Sequence, residues 1–555
     1  MFGHPKGLYV LFFTELWERF SFYSMRGILT LYTASVVLSE LARKEAGEHA
    51  DQIYGAYLGF VYSAPLIGGM LADRLLGQRR AIYIGGTLMA IAQFTLATHA
   101  YLWYSGHSVA SLKWMFFLGL GFLAAGNGFF KPNISTIVGT LYNQGDARRD
   151  VAFTIFYMGI NIGAFLSSFS GQLAQSKGTL GIERWYLGFL LAGIGMILGQ
   201  IIFSFGLKAI EGKGLPPEGV TLAGRGRFGV PNGALLILGI IAFIPFAAYL
   251  MSNPKWVQGL ALVIVGPVVA YLLWEATRSS AAQHGGAGTA AMVTGIASLA
   301  AVVLSQYGAN IGVPGRLWIA PGVLAAAGII FLISRATRSE EGGRMVVILV
   351  LCTFSMMFWG FFELAGSTIT RFTDEVVHRV ILGVELKASF LSNVVNPLLI
   401  ILLSIPAAGL WVWLDRKRME PGSPFKFVMG LAFLSLGFVM LLLGAKEAQA
   451  SATQKCHMIW LILAFFFHTT GELCLSPVGL STITKLSPVR LVGMFMGVWF
   501  MASALGNVLA PAVKTLGKAT GFSAEFFRIA VISAGGAVVL LVLVPLLNRL
   551  RHGVK

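Results

Sequence analysis

Long apolar segments recur along almost the whole chain and limit what it can fold into. Twelve of them reach the length of a membrane span, roughly 20 residues. They lie near residues 8–38, 53–75, 80–103, 113–140, 150–173 and 185–207, and again near 344–372, 388–414, 425–445, 456–486, 489–513 and 525–548. Because the lipid core tolerates backbone only when its hydrogen bonds close internally, we expect an all-α integral membrane protein.

The middle of the chain differs from both sets of six. Residues 208–232 are rich in glycine, proline and charge, and four more apolar runs follow near 233–251, 255–276, 289–308 and 316–336. An even number must cross the membrane if both halves begin on one side. We therefore expect four inserted helices, with two as the alternative because 289–308 is only moderately hydrophobic. The predicted units are an N-terminal six-helix bundle (1–207), a linker with inserted helices (208–342) and a C-terminal six-helix bundle (343–555).

The distribution of basic residues predicts an orientation. The formal net charge is +17 at pH 7, which in a soluble domain would suggest a nucleic-acid partner. Here the arginines and lysines fall in alternate loops, at 74–80, 148–149, 415–418 and 549–551, whereas a loop such as 39–51 is acidic. By the positive-inside rule, the basic loops and both termini lie in the cytoplasm. We expect a multi-pass protein of the cell membrane that binds no nucleic acid.

Cofactor and enzyme chemistry find no support in the sequence. The three cysteines, Cys352, Cys456 and Cys474, lack CxxC spacing, so neither a disulfide framework nor a thiolate metal site is indicated. HExxH, GxSxG and clustered histidines do not occur. Glu15 and Glu18 interrupt any signal peptide, so the first segment is expected to remain as an anchor. We expect no cofactor, no metal, no catalytic residue and no enzymatic activity.

Charges inside an apolar segment are expensive and are therefore candidate functional groups. The first segment contains ELWERFSFYSMR at 15–26. Read as a helix, this stretch places on one face the residues Glu15, Glu18, Arg19, Phe22, Tyr23 and Arg26. Carboxylates that take and release protons, beside guanidinium groups that keep theirs, are what a proton-coupled carrier of charged solutes requires.

Three further charges lie in the interior of other apolar segments. Lys131 precedes Pro132, which frees a backbone carbonyl in the fourth segment. Glu472 occupies the equivalent stretch of the tenth segment, so a Lys131–Glu472 contact could join the two halves. Glu363 is the lone acid of the seventh segment and the natural partner of Arg26.

Each candidate also has a purely structural interpretation. An intramembrane ion pair can simply hold helices together, although apolar packing is often as stable. Tyr23 and Tyr62 can pack with one hydrogen bond each. Asn161 and Asn396 can bridge helices, at roughly 1 kcal/mol, and Trp499 can belong to the core.

An internal echo supports duplicated halves. GNGFFKPNISTI (126–137) and GELCLSPVGLSTI (471–483) both begin with a glycine followed by an amide or an acid, have a proline five or six residues later, and end in the triplet STI. LADRLLGQRR after the second segment has a faint partner in WLDRKR after the eighth. With the count of six plus six, these echoes indicate the major-facilitator architecture.

Four motifs resemble those of the proton-dependent oligopeptide transporters of the major facilitator superfamily. ELWERFSFY (15–23) is similar to the ExxERFxxY signature of that family. FFKPNISTIVGTLY (129–142) and FTIFYMGINIGAF (153–165) resemble its central signature, and GELCLSPVGLSTITKLSP (471–488) resembles its tenth-helix signature. The resemblance covers both halves and leaves the insert weakly covered.

The resemblance implies which residues bind a peptide. Arg19 and Lys131 would hold its carboxylate, and its amino terminus would be held by Asn161, Asn396 and Glu472. The residues expected to line the side-chain pockets are Tyr23, Tyr62 and Trp499. Aromatic pockets between two fixed terminal charges would accept many different peptides.

The resemblance also implies how protons are coupled. The proton-coupling residues would be Glu15, Glu18 and Glu363. Arg26, which we place with the substrate-binding residues, would bridge the halves through Glu363, and Lys131 would do so through Glu472.

Three positions depart from the family pattern. Phe22 replaces a tyrosine common in the signature, and Leu364 stands where glutamine is usual. These two changes could shift peptide preference. Gly55 occupies a position where animal members have a histidine, which favours a bacterial type of coupling.

The sequence thus predicts a proton-coupled symporter that imports di- and tripeptides by alternating access, as a monomer surrounded by membrane lipid. The same fold could instead carry a modified peptide, an amino acid derivative or nitrate, or could serve as a sensor that has lost transport. A channel would not need paired charges in both halves.

Overall fold

The apolar segments form helices at the predicted places. The computed structural model describes residues 4–108, 110–142, 148–210, 212–219, 221–224, 229–278, 287–307, 319–488, 492–514 and 521–554. Within these ranges, thirteen helices are long and apolar enough to cross a membrane. The first helix lies outside that set, since charged residues stand in its middle. The expected all-α membrane class is confirmed.

Six long helices make up the first half. They are α1 (Lys6–Tyr32), α2 (Arg43–Leu71), α3 (Gln78–Tyr104), α4 (Lys113–Thr140), α5 (Arg148–Ala174) and α6 (Trp185–Gly206). Turns of π-helix, Thr33–Val37 and Ala72–Leu76, extend α1 and α2, and short 3₁₀ turns stand at Ala110–Leu112 and Leu207–Ile210. α1 packs against α5 and α6, and α3 packs against α4 and α6. α4 continues through Pro132 without a break.

Four helices follow in the inserted segment. They are α7 (Asn232–Ser252), α8 (Pro254–Arg278), α9 (Ala287–Tyr307) and α10 (Ile319–Ala336). α7 packs against α4, whereas α8 contacts α2 of the first half and α11 and α16 of the second. α9 and α10 pack mainly on α8 and on each other. The insert therefore lies along the side of both halves.

The second half contains six spanning units. They are α11 (Glu340–Phe362) with α12 (Thr368–Glu375), then α13 (Ala388–Arg416), α14 (Ser423–Ala450), α15 (Ile459–Leu486), α16 (Val492–Lys514) and α17 (Phe522–Leu550). A 3₁₀ turn at Glu363–Gly366 separates α11 from α12, so the seventh apolar segment is a broken helix and not the single one expected. A short hairpin of β1 (Val380–Ile381) and β2 (Val384–Glu385) follows, with Val380 opposite Glu385.

The two ends of the helix bundle can be told apart by their residues. α1 begins and α17 ends at the same end, which we call the terminal end. The opposite end, which we call the distal end, carries Asp51, Gln175 and Arg371. Linker residues pack at the terminal end, where the Arg79 guanidinium donates to the Lys213 carbonyl.

The halves meet through two pairs of helices, α2 with α16 and α5 with α13. A side-chain carbon on Gly55 would lie 2.5 Å from the carbonyl oxygen of Asn507 on α16. Glycine is therefore required there for the close approach of α2 to α16. This contact gives a packing reason for the residue that departs from the family pattern.

Candidate functional site

Three charged side chains of α1 form a buried cluster inside the first half. The Arg19 guanidinium donates to both carboxylate oxygens of Glu18, with Nη2 at 2.7 Å from Oε1. Its Nε lies 3.2 Å from Oε1 of Glu15. Glu18 is fully buried, and Glu15 and Arg19 are almost so. The phenyl ring of Phe22 lies 4.9 Å from the guanidinium carbon, so this departure from the family pattern keeps an aromatic contact with Arg19.

Tyr62 contacts both Lys131 of the first half and Glu363 of the second half. The Lys131 ammonium lies 4.8 Å from the centre of the Tyr62 ring, in cation–π geometry. The Tyr62 hydroxyl donates to Oε1 of Glu363 at 2.8 Å. The side chain of Tyr62 therefore touches a residue proposed to bind substrate and a residue proposed to carry protons.

Arg26 and Glu363 form the ion pair between the halves that the resemblance implied. Nε of Arg26 also donates to the Tyr54 hydroxyl at 2.7 Å. Glu363 begins the 3₁₀ turn, so the break between α11 and α12 is what presents this carboxylate to α1. Thr30 adds a hydrogen bond of 2.9 Å to the Gly366 carbonyl in the same turn.

An amide holds the acid of the tenth apolar segment. The Asn396 amide on α13 donates to Oε2 of Glu472 at 3.1 Å and to the Thr469 hydroxyl at 2.9 Å. Glu472 is buried. A carboxylate and a fixed amide at one place can together receive a cationic group.

Lys131 and Glu472 do not pair with each other in this conformation. Among the described residues, the contacts of Lys131 are to the Tyr62 ring and those of Glu472 are to Asn396. The contact expected between the halves is therefore not formed here. Other ion pairs, nearer the distal end, join the two halves in this conformation. Lys131 on α4 and Glu472 on α15 therefore stay on opposite halves without contact.

The remaining predicted residues lie around this centre. Asn161 is buried on α5 and donates to the Tyr157 carbonyl one turn earlier at 3.0 Å. Tyr23 lines a cavity of about 20 Å³, together with Arg26 and Asn396. Trp499 is 5% exposed and packs edge-on against Phe427, within the core of the second half.

A second ion pair between the halves was missed by sequence analysis. Asp51 at the start of α2 accepts from Nη2 of Arg371 on α12 at 2.7 Å and from Nε at 3.2 Å. The Thr368 hydroxyl donates to the same carboxylate at 3.0 Å. The signal available in the sequence was Arg371 itself, a cation inside the apolar segment 344–372.

The contacts between the halves cluster toward the distal end. Both ion pairs, the Thr30 contact and a hydrogen bond of 2.8 Å from the Asn393 amide to the Tyr23 carbonyl lie there or at mid-depth. Among the described residues, the ion pairs and hydrogen bonds that join the halves therefore lie away from the terminal end.

The described residues contain no group of three or more histidine, cysteine, aspartate or glutamate side chains able to hold a metal ion. All three cysteines are buried and unpaired with one another. The functional groups described at the centre are carboxylates, guanidinium groups, one ammonium, amides and tyrosine hydroxyls.

Comparisons with known proteins find relatives over nearly the whole chain. The sequence profile of the POT family matches residues 79–221 and 228–528. Peptide transporter YePEPT of Yersinia enterocolitica is 33% identical over 518 residues, covering 92% of this chain and 87% of the relative. The di-/tripeptide transporter of Lactococcus lactis is 29% identical over 99% of this chain and 97% of its own.

A solved structure shows the same fold over nearly the whole chain. The crystal structure of a mutant of peptide transporter POT in complex with alafosfalin has a TM-score of 0.74 at 30% identity. It covers 99% of this chain and 96% of the other. A profile match over both halves, with relatives alike over almost their full length, leads to one conclusion: this chain is a transporter and belongs to the POT family.

Proposed function

We propose that this protein is a proton-coupled symporter that imports di- and tripeptides across the cytoplasmic membrane by alternating access. The observation that carries the proposal is the separation of charge across the centre. Arg19 and Lys131 belong to the first half, whereas the Asn396–Glu472 pair belongs to the second. A zwitterionic peptide that spans the two walls would satisfy both sets of groups.

The names of the relatives support the same cargo. The proteins from Yersinia and Lactococcus are named as peptide and di-/tripeptide transporters, and the solved structure holds alafosfalin. Carried over to this chain, they favour peptides over nitrate or a single amino acid derivative. The roles of the binding residues rest on the motifs and on the geometry above.

The buried cluster on α1 suggests how protons and peptide are linked. Glu18 and Glu15 occupy the guanidinium of Arg19, which a peptide carboxylate would also need. Protonation of either acid weakens its hold on Arg19, because a neutral carboxyl loses the charge-assisted interaction. The cation is then free to bind the carboxylate of the cargo, so proton uptake favours peptide binding.

The Arg26–Glu363 pair suggests how the same protons open the distal side. Protonation of Glu363 would remove the charge that holds Arg26 and would also disturb its bond to Tyr62. The halves could then separate at the distal end and close at the terminal end. In that second conformation Lys131 and Glu472 would become partners.

We place the distal end outside the cell and both termini in the cytoplasm. Basic loops lie at the terminal end, including the start of α3 and the residues after α13, which supports this orientation. The structure then corresponds to a state approached from the cytoplasm. Since one chain supplies both walls of the site, we propose that it works as a monomer.

The experiment is uptake of labelled dialanine into proteoliposomes, with and without an imposed inward proton gradient. Accumulation that requires the gradient, and that is lost in Lys131→Ala, supports peptide symport through this site. The matched control is Lys417→Ala, whose ammonium lies over the Trp413 ring at the end of α13, away from the centre. Folded wild-type protein that takes up no dialanine with the gradient would refute the proposed cargo, and competition with nitrate or amino acid derivatives would then follow.

A further inference from the structure

The distal end of α13 lacks a cap of its own. The first N–H groups of a helix have no partner within the helix and need acceptors from elsewhere. Lys387 stands at the N-cap position of α13, and its side chain makes no capping hydrogen bond. The acceptors come from the other half of the molecule.

Two glutamines of α5 cap α13 across the boundary between the halves. Oε1 of Gln172 accepts from the backbone N–H of Lys387 at 2.7 Å. Oε1 of Gln175 accepts from the backbone N–H of Ser389 at 2.9 Å and from its hydroxyl at 2.6 Å. The two glutamines are three residues apart, so they project from the same face of α5.

The amide nitrogens of these glutamines are also bonded to the second half. Nε2 of Gln172 donates to the Glu385 carbonyl at 3.0 Å. Nε2 of Gln175 donates to Oδ1 of Asp374 at 3.3 Å. Each glutamine therefore uses its acceptor and its donor on the same partner half, which fixes the orientation of both amides.

Close packing surrounds these hydrogen bonds. Gln175 is 7% exposed and Ser389 is fully buried. A side-chain carbon on Gly171 would lie 2.7 Å from the Ser389 hydroxyl, so glycine is what allows α5 to approach α13 there. Water is excluded from the bonds between Gln175 and Ser389, and opening them would leave buried donors without partners until water enters.

We propose that Gln172 and Gln175 form an uncharged latch that holds the distal end closed and releases α13 each time the halves separate there. This inference rests on the proposed alternating-access function. The hydrogen bonds that cap α13 are accepted by amide oxygens, which do not titrate, whereas the Arg26–Glu363 and Asp51–Arg371 pairs each contain an acid. The latch therefore contributes a constant part of the closure, while protons act on the ion pairs.

The charged groups that face the latch are Asp374, Arg379, Glu385, Lys387 and, from the end of α5, Lys177. Arg379 lies 3.3 Å from Asp374 and 3.6 Å from Glu385. The hydrogen bond from Lys387, with the nearby Lys177 charge adding a smaller effect, lowers the pKa of Glu385, so this carboxylate stays ionised through the physiological range. None of these groups supplies the acceptor that caps α13.

The test is the rate at which a membrane-impermeant maleimide modifies Ser168→Cys from the outside. Ser168 is fully buried, one helical turn below Gln172 on the same face of α5. The parent protein provides the blank, because its three cysteines are buried. Burial also raises the pKa of the Cys456 thiol, the one nearest the distal surface, to about 11.

We expect labelling to accelerate at least about fivefold when Gln172→Leu and Gln175→Leu are combined, the effect of losing one net hydrogen bond. The labelling rate of the double variant, divided by the rate of the protein that carries only Ser168→Cys, should be the same at pH 6 and pH 8. Gln78→Leu is the matched control, since Gln78 bonds to Asp73 at the terminal end and should not change the rate. An unchanged rate in the double variant would overturn the proposal.

A second variant keeps the test decisive if the leucine protein fails to fold. Gln175→Glu keeps the acceptor for Ser389 but replaces the donor to Asp374 with a second acid. Labelling should then be faster than in the parent at pH 8 and close to it at pH 6, where the new carboxyl can regain a proton. If Gln175→Glu were labelled as slowly as the protein with only Ser168→Cys at both pH values, the result would contradict the latch.

The labelling does not require a substrate. Dialanine uptake by the wild type is measured in the same proteoliposomes, so that failure of the proposed cargo is recognised separately. A protein that moves another solute by alternating access could still show the latch, and a peptide symporter without a latch would still accumulate dialanine.

Discussion

Asp51 and Arg371 join the two halves through a bidentate ion pair that is almost completely buried. Two guanidinium nitrogens reach the carboxylate, at 2.7 and 3.2 Å, and the side chains are 0% and 6% exposed. The guanidinium also lies 5.6 Å from the centre of the Phe522 ring at the start of α17. The pair therefore connects α2 with two helices of the second half at the distal end.

Removing one partner of this pair should favour separation of the halves at the distal end. In Asp51→Asn the buried Arg371 charge loses the carboxylate to which it is hydrogen-bonded, and breaking such a pair typically costs about 3–5 kcal/mol. We expect labelling of Ser168→Cys from outside to accelerate at least about tenfold and gradient-driven uptake to fall. The double variant Asp51→Arg with Arg371→Asp should recover part of both. Closure that is unaffected by Asp51→Asn would show that the pair does not hold the halves together.

Tyr62 offers a way to separate proton coupling from substrate binding. Tyr62→Phe keeps the ring beneath Lys131 but removes the hydrogen bond of 2.8 Å to Glu363. We expect gradient-driven accumulation of dialanine to fall several-fold, while exchange without a gradient changes little. Tyr62→Leu, which also removes the ring, should reduce both. If Tyr62→Phe and Tyr62→Leu were equally impaired in exchange, the hydroxyl would not have a separate part in coupling.

Glu18 should be needed for accumulation against a gradient but not for exchange. Glu18→Gln keeps the size of the side chain and removes the negative charge that binds Arg19 through two hydrogen bonds. Arg19 then keeps only Glu15 as an anionic partner, so a peptide carboxylate can compete for it more easily and counterflow of dialanine should persist. Uphill uptake driven by protons should be abolished. Normal uphill uptake by this variant would remove Glu18 from the coupling mechanism.

Much of the fold follows from the sequence, because apolar length decides where helices form in a bilayer. The break between α11 and α12 was not predicted, because glycines such as Gly360 and Gly366 are common in membrane helices and do not by themselves mark a break. The contacts of Glu363 with Arg26 and Tyr62 come from the other half and are visible only in the structure. The sequence analysis also did not predict the hairpin turn at Leu382 and Gly383. Leucine is an unusual residue at a positive φ of 49°.

The site shows a different limit of sequence analysis. Motifs identified Arg26 and Glu363 as partners, and the structure contains that pair. The same motifs suggested a Lys131–Glu472 contact, which this conformation does not form. A sequence specifies which charges exist in a transporter, but partners change with the conformational state, so a single arrangement cannot contain all of them.

Packing between α2 and α4 should limit substitution next to Lys131. A side-chain carbon on Gly68 would overlap the carbonyl group of Gly128, and backbone atoms cannot move aside. Gly68→Ala must therefore push α4 away from α2, beside Pro132, and overpacking of this kind costs about 1–3 kcal/mol. We expect a lower thermal unfolding temperature and weaker dialanine uptake, because Lys131 shifts away from the Tyr62 ring.

The matched control is Gly239→Ala in α7, where no atom lies within 4 Å. That change should leave uptake unaltered and should not lower the unfolding temperature, since alanine is the better helix former by about 1 kcal/mol. Equal unfolding temperatures for the two variants would mean that the helices adapt more easily than their close backbone contact indicates.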